Sequence, residues 1–187
     1  MCEPSRDVPD RIAVERASLR DVAALLELIQ SAYRGEPSRA GWTTEADLLD
    51  GVRTDTDALT AIIAGSPDTR MLLAQEDGAV VACCQLERRA DGVAYFGMFA
   101  VWPERQGSGL GRAVLTAAER HAQAEWGSTS MEMTVIAQRL ELIDWYERRG
   151  YTCTGRRSPF PYGDARFGTP RRDDLYFVGL RKELSAS

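Results

Sequence analysis

Gly107, Gly109 and Gly111 stand at alternate positions between an apolar run ending in Phe99-Ala100-Val101-Trp102-Pro103 and a segment with helical apolar spacing (Leu110, Val114, Ala117, Ala118, Ala122). Glycines so placed let the backbone turn with several N–H groups unpaired and pointing one way. The positive end of the following helix adds to that field. The product is an anion cradle without a lysine, suited to a pyrophosphate, with Arg105 and Arg112 supplying charge at its rim. Two familiar phosphate loops do not fit. A Walker A loop needs Lys and then Ser or Thr, whereas Arg112-Ala113 follows here. A dinucleotide fingerprint needs G-x-G-x-x-G, whereas the spacing here is G-x-G-x-G. Glu132 does stand where that fingerprint wants an acid, but the strands before the loop read as hairpin-connected, not βαβ.

Residue counts restrict the remaining chemistry. His121 is the only histidine, so a multi-histidine metal site is excluded and any nucleophile–His pair must use it. It sits beside Arg120 and Gln123 and reads as a surface or partly packed residue. Lys182, near the end, is the only lysine, so no Schiff-base lysine is expected in the core. Cys2, Cys83, Cys84 and Cys153 fit no C-x-x-C or zinc spacing. They read as reduced, small apolar residues, with Cys83 and Cys84 pointing to opposite faces of a strand. No metal site is expected. A formal charge of −5 gives no general attraction to nucleic acid or to anionic membranes. No apolar run approaches the ~20 residues of a membrane span, and the N-terminus lacks a signal-peptide core. A cytoplasmic protein is expected.

The elements that must position the cradle can be read in outline. Residues 1–10 read as a loose polar tail, and residues 11–187 as a single domain. A short strand over 11–16 precedes Ser18, a helix cap with Asp21 as its capping acid. Val22, Leu25, Leu26, Ile29 and Tyr33 then recur at helical spacing up to Gly35. The stretch 36–57 reads as a loop with a short helix opening at Thr43 or Thr44, and 57–64 as another short helix. Strands over 70–76, 79–89 and 93–101, joined at Asp77-Gly78 and Asp91-Gly92, form an antiparallel meander. After the cradle come a helix to Trp126, a strand over 130–136, a helix over 139–149 closed by Gly150, and a strand over 151–155. A loop over 156–174 and a strand over 174–182 complete an α+β chain.

The sequence resembles the GNAT superfamily of acetyl-CoA-dependent N-acetyltransferases. Its loop pattern, Arg/Gln-x-x-Gly-x-Gly/Ala, is matched by Gln106-Gly107-Ser108-Gly109-Leu110-Gly111. Its second element, Tyr-Glu-x-x-Gly-Phe/Tyr at the end of a helix, is matched by Tyr146-Glu147-Arg148-Arg149-Gly150-Tyr151. The resemblance covers about residues 11–155. It implies a mixed, mostly antiparallel central sheet with helices on both faces, and a gap between the strands 93–101 and 130–136. It implies acetyl-CoA as co-substrate, its pantetheine arm on main-chain groups of Phe99, Ala100 and Val101, and its pyrophosphate on the N–H groups of Gln106 to Arg112. Homodimers are common in the family.

The reaction has its own requirements. An alkylamine with pKa near ~10.4 must lose a proton before attack, and a leaving thiolate of intrinsic pKa near ~8.5 can take one from a phenol near ~10. The resemblance makes Tyr146 that acid. The family often uses a glutamate on a central strand, or a water chain, as base. The strand 93–101 holds no acid, so Glu132 and Glu87 are the candidates. The family's frequent Asn early in the last helix is replaced by Gln138-Arg139. The acceptor would be a small-molecule or peptide amine. Trp42 with Glu36, Glu45, Asp47, Asp50, Asp55 and Asp57 would suit a cationic amine, or else form a solvated face. Phe160, Tyr162 and Phe167 would close over the site or anchor their own loop. The expected activity is direct acetyl transfer to a primary amine. The alternative is a non-catalytic acyl-CoA-binding or sensor module on the same fold.

Overall fold

The computed structural model describes residues 12–185; the expected tail at 1–10 lies outside them. Strands β1 (Val14–Arg16), β2 (Leu49–Asp50), β3 (Thr69–Glu76), β4 (Ala79–Arg88), β5 (Val93–Val101), β6 (Ser130–Ile136), β7 (Thr152–Pro159), β8 (Thr169–Pro170) and β9 (Tyr176–Glu183) alternate with helices α1 (Val22–Tyr33), α2 (Gly35–Ser38), α3 (Thr56–Ala64), α4 (Leu110–Trp126) and α5 (Leu140–Glu147). Seven strands form one sheet in the order β1-β3-β4-β5-β6-β9-β7, while β2 and β8 pair separately. Every pairing is antiparallel except β5 with β6. The sheet is therefore mixed and mostly antiparallel, as the resemblance implies.

Period-two alternation puts a core on each face of the sheet. Met71, Leu73 and Cys83 pack with α1 and α3 through Leu25, Ile29 and Leu59. Leu72, Ala74 and Cys84 pack on the other face with α4 and α5 through Val114, Ala118 and Leu142. The adjacent cysteines thus join different cores, and burial pushes both thiols up, Cys83 to about 12. At the start of α1, the Asp21 carboxylate accepts hydrogen bonds from the Ser18 amide and hydroxyl, each 2.8 Å.

One irregularity in β5 shapes the site. Cys83 pairs with Ala100 and Gln85 with Gly97, so β5 carries one more residue than β4 in this interval. The bulge holds Met98 at φ 43°, a left-handed conformation that costs a non-glycine residue about 1–3 kcal/mol. β5 pairs with β6 only over Val93–Tyr95. β6 itself stays paired with β9 along its whole length, Ser130–Ile136. The two central strands part beyond Tyr95, and the β5 edge opens on a gap.

Two of the expected elements need correction. No helix opens at Thr43 or Thr44; the Thr44 hydroxyl instead accepts from the Ala46 amide at 3.0 Å and closes a turn. The helical turn lies earlier, at α2, and the segment ends in β2. The expected loop over 156–174 is shorter, because β7 runs on to Pro159 and β8 forms at Thr169–Pro170. Among the described residues, no helix is long and apolar enough to cross a membrane.

Candidate active site

Two cavities meet where β5 leaves β6. The first, about 600 Å³, is lined by the β5 edge at Phe99–Val101, the loop after β5, and Arg139, Trp145, Tyr146 and Arg149 around α5. The second, about 360 Å³, lies on the other side, between Tyr95, Thr134, Glu45, Arg53 and Phe160. Tyr33, Phe99, Arg139, Leu142 and Tyr146 belong to both walls.

The glycine loop presents its amides as the sequence suggests. Gly107 and Gly109 have φ of 83° and 92°, the region where a side chain is strained. Among the described residues, the N–H groups from Gly107 to Arg112 make no hydrogen bond, whereas those of Arg105 and Gln106 are bonded to Trp102 and Pro103 carbonyls. The first turn of α4 begins inside this run, so its dipole acts on the same space. A Cβ on Gly111 would stand 3.2 Å from Phe99 and 3.4 Å from Trp145, two rings of the cavity wall. Space and unpaired donors thus fit a diphosphate followed by a slender chain.

Around the loop the structure separates what the sequence grouped. Phe99, Ala100, Val101, Gln106, Gly107, Ser108, Gly109, Gly111 and Arg112 line the first cavity. Leu110 turns its side chain into the core and is 2% exposed. Arg105 faces away, ion-paired to Glu76 at 2.5 Å. The positive rim instead comes from Arg112 with Arg149, which the sequence reading passed over. Arg149 lies 3.5 Å over the Trp145 ring. Burial and the neighbouring Arg148 and Arg112 guanidiniums lower its pKa, as expected of a cation with no ion pair among the described residues. Its only advance signal was being basic in the last turn before Gly150.

Tyr146 is buried at 4% exposure in the wall common to both cavities. Its ring packs edge-on against Trp145 and Tyr151. Its hydroxyl has no hydrogen-bond partner among the described residues. Burial, reinforced by neighbouring Tyr33, pushes the phenol well above its ordinary value, so it keeps its proton. Across the same junction, Tyr33 donates to the Phe99 carbonyl at 2.8 Å. One acceptor on the β5 edge is therefore already engaged, and the Gln106 amide takes another, the Val101 carbonyl, at 3.3 Å.

The carboxylates fall differently. Glu132 lies outside both cavity walls, ion-paired to Arg181 at 2.9 Å and to Arg156 at 3.7 Å. Glu87 is half-buried on β4 beside Arg89 at 3.5 Å. Neither touches the space where an amine would meet a thioester. Of the acids expected around Trp42, only Glu45 reaches a cavity, and it is locked: Arg34 binds one oxygen at 2.5 Å and Arg139 the other at 2.8 Å. Burial raises its pKa, but Arg139, Arg34 and Arg53 together outweigh burial and hold it below its ordinary value. Asp47 pairs with Arg39, Asp50 with Arg171, and Asp55 caps α3. Trp42 itself faces the first cavity, its ring 6.3 Å from Trp145. The expected cation-binding group of acids and tryptophan therefore does not assemble.

Part of the second cavity's wall comes from the long loop. Phe160 stacks on Phe177 at 5.6 Å and meets Phe167 at 6.1 Å, and all three line the wall. The loop is thus anchored by its own aromatics and forms part of the site. Tyr162 does not line the cavity; its hydroxyl donates to the Arg172 carbonyl and accepts from the Leu175 amide. His121 sits on α4 against Trp126, away from both cavities. Cys153 is exposed with its pKa raised, first by desolvation and then by Glu147, so nothing activates it as a nucleophile.

Comparison with known proteins agrees with this geometry. The chain is similar in fold to the ribosomal-protein-S18-alanine N-acetyltransferase of Escherichia coli, at 15% identity and TM-score 0.67, with 94% of this chain and 95% of that one covered. It is similar to the Salmonella typhimurium protein yncA, solved with its cofactor acetyl-CoA, at 22% identity and TM-score 0.66, with coverages of 95% and 96%. It is also similar to the PaiA N-acetyltransferase of Thermoplasma acidophilum, in complex with coenzyme A, at 16% identity and TM-score 0.65, with coverages of 91% and 98%. Among curated protein sequences none matches. Residues 23–151 match the sequence profile of the acetyltransferase (GNAT) family, and the chain belongs to that family.

Proposed function

We propose that the protein is an N-acetyltransferase that transfers the acetyl group of acetyl-CoA directly to a primary amine. Acetyl-CoA is the family's acyl donor. The observation that carries the reading is the run of unpaired amides from Gly107 to Arg112, one wall away from a protonated, buried Tyr146.

The chain's groups divide the work. The amides of residues 107–112 hold the diphosphate, and Arg112 and Arg149 add charge. The β5 edge lies beside the chain that follows. The donor supplies an acetyl thioester when bound. Tyr146, in the wall common to both cavities, gives its proton to the departing sulfur. Its raised pKa keeps the phenol protonated until a thiolate develops. Glu45 is a poor base because two guanidiniums hold it ionised. Water therefore carries the proton released by the amine. The Tyr95 and Thr134 hydroxyls, 2.7 Å apart in the second cavity, offer a path toward the exposed face. The buried, raised thiols of Cys83 and Cys84 and the unactivated Cys153 give no support to a covalent enzyme intermediate.

The test is thiol release from acetyl-CoA with a panel of amines, followed by mass analysis of the acceptor. An N-acetylated product with matching thiol release is expected. Tight acetyl-CoA binding without release for any amine would leave a binding or sensor module instead.

A further inference from the structure

The second cavity has an unbalanced charge. Arg34, Arg53, Arg139 and Glu45 all contribute to its wall. The single carboxylate is consumed by Arg34 and Arg139. Arg53 has no ion pair among the described residues. Its guanidinium lies 5.2 Å from the centre of the Tyr33 ring, at the junction of the cavities. Its placement is built rather than incidental. The Gln30 side chain accepts from the Arg53 amide at 3.1 Å and donates to the Gly51 carbonyl at 3.2 Å, fixing the loop that carries it. The Nε atoms of Arg34 and Arg139 are also buried without a partner. A cavity with surplus guanidinium charge and no available carboxylate attracts an anion and repels a simple cation.

Resting on the acetyl-transfer reading, we infer that the acceptor is a small amine that itself bears a compact oxyanion, a carboxylate or phosphonate, and that Arg53 binds that oxyanion. The planar fork of a guanidinium matches the two oxygens of such a group. The ammonium end gains nothing from charge recognition, because it must be deprotonated to attack. The oxyanion is the end that the wall can grip while the amine points toward the Tyr146 junction. A space of about 360 Å³ suits a molecule of amino-acid size.

The experiment compares the α-amino acids, each with its carboxamide and its decarboxylated amine, in the thiol-release assay. Wild type is expected to favour the carboxylate-bearing member of the productive set at least tenfold in kcat/KM. Arg53→Gln should bring that ratio to near parity through KM for the amine, with KM for acetyl-CoA unchanged. Arg53→Lys should leave an intermediate ratio, since it keeps the charge and loses the fork. Parity in the wild type would overturn the inference and leave acetyl transfer standing, as would a preference that survives in Arg53→Gln. If no amine releases thiol, acetyl transfer fails, and thermal shift in the presence of CoA decides the anion site. Stabilisation by amino acids, absent with their carboxamides and in Arg53→Gln, would sustain it; no stabilisation would overturn it.

Discussion

The Tyr33 hydroxyl donates to the Phe99 carbonyl across 2.8 Å and so ties the end of α1 to the bulged edge of β5. Burial pushes this phenol up to about 12, with Arg53 opposing, so the hydroxyl stays a donor at any working pH. Tyr33→Phe leaves that carbonyl without its partner and should cost about 1–2 kcal/mol. The urea midpoint of the variant measures it, and an unchanged midpoint would show that the tie contributes nothing.

Tyr146→Phe keeps the ring and its edge-on contacts with Trp145 and Tyr151. Turnover should fall about 10²-fold or more, with acetyl-CoA affinity unchanged, since only proton donation is lost. The raised phenol also fixes a sign in the pH profile. A group with elevated pKa remains protonated as pH rises, so the wild-type rate should climb as the amine deprotonates and show no falling limb below about pH 10. A falling limb near neutrality would remove Tyr146 as the acid.

Gly111→Ala tests the cradle without straining the backbone. The position is helical, so alanine is tolerated there, yet its Cβ would press on Phe99 at 3.2 Å and Trp145 at 3.4 Å. Acetyl-CoA affinity should drop by about tenfold, or ~1.4 kcal/mol, in a variant that circular dichroism shows to be folded. Calorimetric titration reads both the affinity and the number of sites; full affinity would place the cofactor elsewhere.

Glu45→Gln leaves Arg34 and Arg139 buried without their counter-ion. Breaking a buried pair in this way should cost about 3–5 kcal/mol at neutral pH. The folded carboxylate titrates below its ordinary value of 4.5, so the unfolded chain takes up a proton first as the medium acidifies. The Glu45 contribution is therefore complete above that value and fades as pH falls beneath it. Denaturant titrations of both proteins from pH 7 to pH 3 should show their difference in stability shrinking toward the acid end. A constant difference would mean that the carboxylate charge is not what stabilises the pair.

The parts of the fold legible in advance were those with a local signal. The meander announced itself through Asp77-Gly78 and Asp91-Gly92, and α4 through its stripe of Leu110, Val114 and Ala118. β7 gave no such signal beyond Gly155 because it is solvent-exposed along its whole length, so nothing alternates. Thr43 and Thr44 carried the chemistry of a helix start, but the Thr44 hydroxyl serves a turn with the same local hydrogen bond.

By itself, the sequence determined the longer strands in their chain order, the glycine turn after β5 and the helix that carries Tyr146, because each depends on neighbours within a few residues. Tertiary structure alone decided which charges share a space. Glu45 meets Arg139 across most of the central sheet's sequence, and Arg53 reaches the same wall through a clamp from Gln30. It also decided that β5 bulges at Met98 and parts from β6. Periodicity assigns each side chain to a face, but register and the path of loops set which faces confront one another. A charge between two of them has no signature in either segment alone.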